Sequence, residues 1–80
     1  MTYTADVIAE LELLNQFNLA NSLEGLKIHN SAEAATIAAA RRLHEKGLTT
    51  LHDGGYLTSL GLEAARHAQS VLTILTPPTA

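Results

Sequence analysis

The side chains of this 80-residue chain that could do chemistry are few. Three of its five cations, Arg41, Arg42 and Lys46, stand close together, and guanidinium and ammonium groups on one short stretch suit phosphate oxygens. Four histidines, His29, His44, His52 and His67, raise the question of a transition metal, because imidazole is the commonest ligand for one. No two of them share the i, i+4 spacing of a helical zinc pair, HExxH is absent and the chain has no cysteine, so no metal site is expected. His44 and His67 fall on the inward sides of their helices, where an imidazole at a core edge usually satisfies a carbonyl or a water. His52-Asp53 has no nucleophile or oxyanion donors beside it, and Ser22, Ser31, Ser59 and Ser70 fall at caps, turns or helix surfaces. Without GxSxG or a phosphate-cradling glycine loop, neither an enzyme nor a bound cofactor is expected.

The elements that must position these groups follow from periodicity. Thr4 suits an N-cap, Asp6 the first turn, and Tyr3 with Ile8 a hydrophobic staple. Val7, Leu11 and Leu14, widened by Ile8 with Phe17 at the edge, predict a first helix over about 5–17. Asp6, Glu10 and Glu12 then form its solvated anionic face, and Leu13 lies on the polar side. Residues 22–29 admit two readings: a short helix capped by Ser22 and weakened by Gly25, or a strand through Leu26-Lys27-Ile28. Asn30 with Glu33 is a capping-box variant that opens a second helix over about 31–46, ended by Gly47. Thr36, Ile37, Ala40, Leu43 and His44 share its inward face; Ala34, Ala35, Ala38, Arg41, Arg42 and Glu45 share the outward one. Asp53-Gly54-Gly55 between β-prone runs predicts a hairpin with a type I′ turn. Thr58 caps a last helix over about 59–75, with Leu60, Ala64, His67, Ala68, Val71, Ile74 and Leu75 on one apolar arc that Leu72 extends. Pro77 and Pro78 stop it, which leaves 1–76 as one domain and 77–80 as a disordered tail.

The stretch Ile37 to Leu48, followed by Asp53 to Ala64, resembles the run from recognition helix through wing in MarR-type and PadR-type winged-helix regulators. The shared phrase is Leu43, Lys46-Gly47-Leu48, a wing at Gly54-Gly55, Leu57-Thr58 and Gly61. Over its whole length the chain also resembles a small family of uncharacterised bacterial proteins that share Gly-Leu-Lys-(Ile or Val)-His and Asp-Gly-Gly-Tyr-Leu-Thr and are labelled DNA-binding. The resemblance implies a mainly α fold with a small β-hairpin, a winged helix, acting on double-stranded DNA in transcription regulation. It also implies a homodimer held by the first and last helices.

Physical chemistry supports part of that implication and opposes part. Five Lys plus Arg against eight Asp plus Glu give a formal charge of -3, and 46% hydrophobic residues with 16% charged belong to one globular domain. Arg41, Arg42 and Lys46 are the expected phosphate contacts, but Glu33 and Glu45 share their helix and the wing tip carries the phosphate-repelling Asp53. The helix's N-terminal half offers alanines where base-reading side chains usually stand. Ala34, Ala35 and Ala38 form a small-residue stripe that suits close approach of a partner helix or a second protomer, and Leu13 with Leu72 extends the self-association surface. A protein-interaction or dimerisation module without nucleic-acid binding is therefore the alternative function. Met1 to Asp6 has neither a basic nor an apolar leader pattern, and no run nears the roughly 18 apolar residues of a membrane span, so a cytoplasmic protein without a membrane partner is expected.

Overall fold

The computed structural model describes residues 2–21 and 23–78. Its elements are α1 (Ala5–Leu14), β1 (Leu26–Lys27), α2 (Ala34–Glu45), β2 (Thr49–Leu51), β3 (Gly54–Leu57) and α3 (Ser59–Leu75). The three helices and a three-stranded antiparallel sheet of order β1-β3-β2 form a winged-helix-like, mainly α arrangement.

Thr4 caps α1 as expected, its hydroxyl accepting from the Val7 amide at 3.1 Å. The helix stops at Leu14, earlier than predicted, because the Gln16 and Phe17 amides bond back three residues to Leu13 and Leu14 and tighten the chain into a turn. The buried stripe is Glu10, Leu13 and Leu14, continued by Phe17, not Val7, Leu11 and Leu14. Those four positions are spaced i, i+3, i+4 and i+7, a regular helical stripe in which a glutamate takes an apolar place.

The open segment contains the strand: Leu26 pairs with Gly55 and Lys27 with Gly54. The Ser22 cap lies outside the described residues. Ile28 donates to the Asp53 carbonyl at 2.8 Å and holds the chain to the sheet just before Asn30. The backbone then turns through 29–32, so α2 begins at Ala34, later than predicted, and the Asn30–Glu33 capping box does not form. Glu33 itself occupies the cap position without a side-chain bond. At the other end Gly47, with φ of 81°, gives a Schellman motif: its amide donates to His44 O at 3.0 Å and the Leu48 amide to Leu43 O at 2.9 Å.

The hairpin forms, but its turn is His52-Asp53, not a type I′ Asp-Gly turn. Both positive-φ glycines, Gly54 and Gly55, lie inside β3, and the β2–β3 register shifts between Thr49 and Leu51. A side chain at Gly54 would overlap the Leu26 carbonyl, so the glycine pair admits β1 to the sheet rather than turning the wing. Helix α3 has the predicted limits and cap: Thr58 Oγ1 accepts from the Gly61 amide at 3.1 Å and donates to Gly47 O at 2.6 Å. Pro77 and Pro78 follow it, and Thr79-Ala80 lies outside the described residues.

The core joins Leu13 and Leu14 of α1 to Ala39, Ala40 and Leu43 of α2 and Ala65 of α3. Alanines at the crossings let the helix axes approach closely, and Leu43 is the largest fully buried side chain. Gln69 of α3 donates to the carbonyls of Leu14 and Phe17 at 3.2 and 2.8 Å, satisfying acceptors that the end of α1 leaves open.

Candidate nucleic-acid interface

Helix α2 and the adjoining wing carry the predicted phosphate contacts, and the structure divides them. Arg41 is exposed and forms no ion pair among the described residues. Arg42 and Lys46, one turn apart, both turn to α1. Arg42 Nε donates to Glu10 Oε2 at 2.9 Å, its Nη2 to the Asp6 carbonyl at 3.3 Å, and Lys46 Nζ donates to Glu10 Oε1. Arg42 is therefore not an outward-facing side chain, which corrects its assignment; its side chain is only 26% exposed. Lys46 remains 53% exposed with its charge compensated.

Glu10 explains this division. It is 6% exposed, not part of a solvated anionic face. Burial pushes its carboxyl up, but the hydrogen bonds and charges of Lys46 and Arg42 outweigh burial and hold it below the ordinary 4.5. Once Glu10 is turned inward, the helical period carries Leu13 inward with it. Leu13 is 3% exposed and belongs to the core, which removes it from any dimer surface. The signal was available in the spacing of Glu10 to Leu13, Leu14 and Phe17, but a charged residue is not normally counted as an apolar position.

The wing differs similarly from its expectation. Lys27 forms an ion pair with Asp53 and holds that carboxyl below its ordinary value, so the acidic wing tip is neutralised by a cation from β1. Gly54 is buried and Gly55 half-buried, both paired with β1 and not at an exposed wing tip. A groove of about 490 Å³ runs between α2 and the wing, lined by Lys27, His29, Asn30, Arg41, His52 and Asp53 among others. A second hollow of about 330 Å³ continues it past Arg41 and His52 to His44 and Glu45. His44 and His67 are both exposed and not turned inward as expected, although Nδ1 of His44 lies 3.1 Å from the Thr49 carbonyl. His67 lines a different groove, so the two histidines do not meet. No group of three or more His, Cys, Asp and Glu suited to a metal ion occurs among the described residues.

The chain belongs to DUF5669, a family of unknown function, over residues 1–76. Neither a curated protein nor a solved structure matches it significantly. On α2 of this DUF5669 chain Ala34 and Ala35 are exposed and Ala38 is half-buried. A separate groove between α1 and α3 is apolar. The predicted arc of α3 is largely turned away from the core, which receives Gly61 and Ala65 instead. Val71, Leu72 and Leu75 meet Tyr3, Ile8 and Leu11 along a groove of about 380 Å³. Leu72 is 51% exposed and, unlike Leu13, stands on this surface. Among the described residues no helix is long and apolar enough to cross a membrane.

Proposed function

We propose that this chain is a cytoplasmic, non-enzymatic DNA-binding protein of the winged-helix kind that acts as a homodimer in transcription regulation. The observation that carries the reading is Arg41, an exposed cation without an ion-pair partner among the described residues, which lines a groove between α2 and the wing. The small side chains of Ala34 and Ala35 let the α2 backbone approach a duplex closely, and Arg41 then meets a phosphate at the groove edge. Alanines supply few base contacts, so affinity rests mainly on the backbone and on dimerisation, which doubles the contacts.

The apolar groove between α1 and α3, lined by Tyr3, Ile8, Leu11, Val71, Leu72 and Leu75, is what supports the dimer.

The second reading, a dimerising or protein-binding module without nucleic-acid binding, is favoured by the capture of Arg42 and Lys46 on Glu10. Titration of labelled random-sequence duplex at low and then raised salt decides between them. The DNA reading expects micromolar or tighter binding that weakens with salt. Arg41→Ala should weaken it with little change in stability, whereas Arg42→Ala should cost stability more than affinity. No binding at low salt would refute the DNA reading, and light scattering showing a monomer at tens of micromolar would refute the dimer.

A further inference from the structure

Three of the four histidines converge on one surface that the sequence does not bring together. His29 follows β1, His44 lies on α2 and His52 in the β2–β3 turn, and all three are exposed. His29, His52 and Arg41 line the larger groove; His44, His52 and Arg41 line the adjoining hollow. Arg41 and His52 are common to both, which makes the two hollows one continuous face.

The fixed charges on this face cancel. Lys27 and Arg41 contribute two positive charges; Asp53 and Glu45 contribute two negative ones, with Lys27 already paired to Asp53. These four and the three imidazoles are the charged and titratable groups that β1, α2 and the turn direct to it. Glu33 stands at the start of α2, outside both hollows. Imidazole is the side chain whose charge ordinarily changes between pH 5 and 8, so protonation can carry this face from a sum of zero to as much as three positive charges. A carbonyl oxygen can only accept, so Nδ1 of His44 carries the hydrogen toward Thr49 O, and Nε2 is its remaining nitrogen.

We propose that this face is a proton-responsive phosphate site, in which His29, His44 and His52 join Arg41 in holding the DNA backbone as pH falls. The inference rests on the DNA-binding reading and identifies the cations that replace Arg42 and Lys46. A protonated imidazole presents two N–H donors, and Asn30 adds a neutral amide donor at the groove edge. Binding of phosphate in turn favours the protonated imidazoles, so DNA and protons bind cooperatively by linkage.

The test measures duplex affinity with a pH-insensitive rhodamine label at about pH 8 and about pH 6, at matched ionic strength and over a salt series. Added positive charge should tighten binding and steepen the salt slope by up to about 2.7, at roughly 0.9 per phosphate neutralised. The variant His29→Asn/His44→Asn/His52→Asn should lose the response to acid. His29→Asn/His52→Asn leaves the His44–Thr49 contact intact and should lose about two thirds of the slope change. Salt-sensitive, Arg41-dependent binding that is indifferent to pH would overturn this inference alone, as would an acid response that survives the triple variant. Absence of binding at either pH overturns the DNA reading beneath it.

Discussion

Replacing Glu10 by Gln removes one charge and almost no volume, and it isolates what the buried carboxylate does. Glu10 accepts from Arg42 Nε at 2.9 Å on one oxygen and from Lys46 Nζ on the other. A glutamine side chain keeps one acceptor and turns an NH₂ group toward the second cation. Hydrogen bonds to charged groups contribute about 1.5–3 kcal/mol each. The Lys46 bond belongs near the bottom of that range or below, because a side chain 53% exposed returns readily to water. The Arg42 bond counts more fully, since its side chain is 26% exposed and relocates less easily. Against these losses stands the relief of no longer burying a carboxylate. The net cost is about 1–3 kcal/mol, and a domain of this size loses about 4–8 °C of Tm per kcal/mol.

Urea unfolding followed by circular dichroism at neutral pH measures that difference, and repetition in acid identifies its source. The folded-state pKa of Glu10 lies below the 4.5 that the unfolded chain approximates. Its stabilisation is therefore fully present above that value and is lost as pH falls through the folded one. The gap between parent and Glu10→Gln should be widest near pH 7 and close as pH falls through the lowered folded-state pKa. Equal stability of the two proteins near pH 7 would refute the account of Glu10, and so would a gap that persists unchanged in acid.

Two further comparisons test the placement of individual residues. Leu13→Ala should cost about 2–5 kcal/mol in chemical unfolding, as a core cavity does, whereas Leu72→Ala should change monomer stability by less than about 0.5 kcal/mol and instead weaken association in light scattering. Equal costs would contradict the assignment of one leucine to the core and the other to an interface. Gly61→Ala, a change that helix propensity alone favours by about 1 kcal/mol, should destabilise because the new methyl overlaps the Leu48 carbonyl. Gly47→Ala meets nothing within 4 Å, so it should cost only the roughly 1 kcal/mol of holding alanine at positive φ.

The elements whose signals are local were legible in the sequence. Thr58 capping α3, Gly47 ending α2 and Thr4 opening α1 each act over a few residues, and each is found where propensity places it. The differences arise wherever a distant segment supplied the deciding contact. Gly54 and Gly55 carry the positive φ that a tight turn demands, yet β1, arriving from the other side of the sheet, needed their missing side chains more. The Asn30–Glu33 box is locally sound and loses to the hydrogen bond that ties Ile28 to Asp53.

Glu10 is the most consequential case. A carboxylate enters a core stripe only if cations meet it there, and those cations come from α2, 32 and 36 residues later in the chain. The local pattern of α1 alone therefore predicts the opposite face, with Leu13 outside and Arg42 and Lys46 free for phosphate. Once Glu10 is seen to hold them, Arg41 and the histidines become the groups on which an anion site beside the wing must be built. The apolar arc of α3, deprived of the core it was expected to fill, is left exposed along the groove it forms with α1.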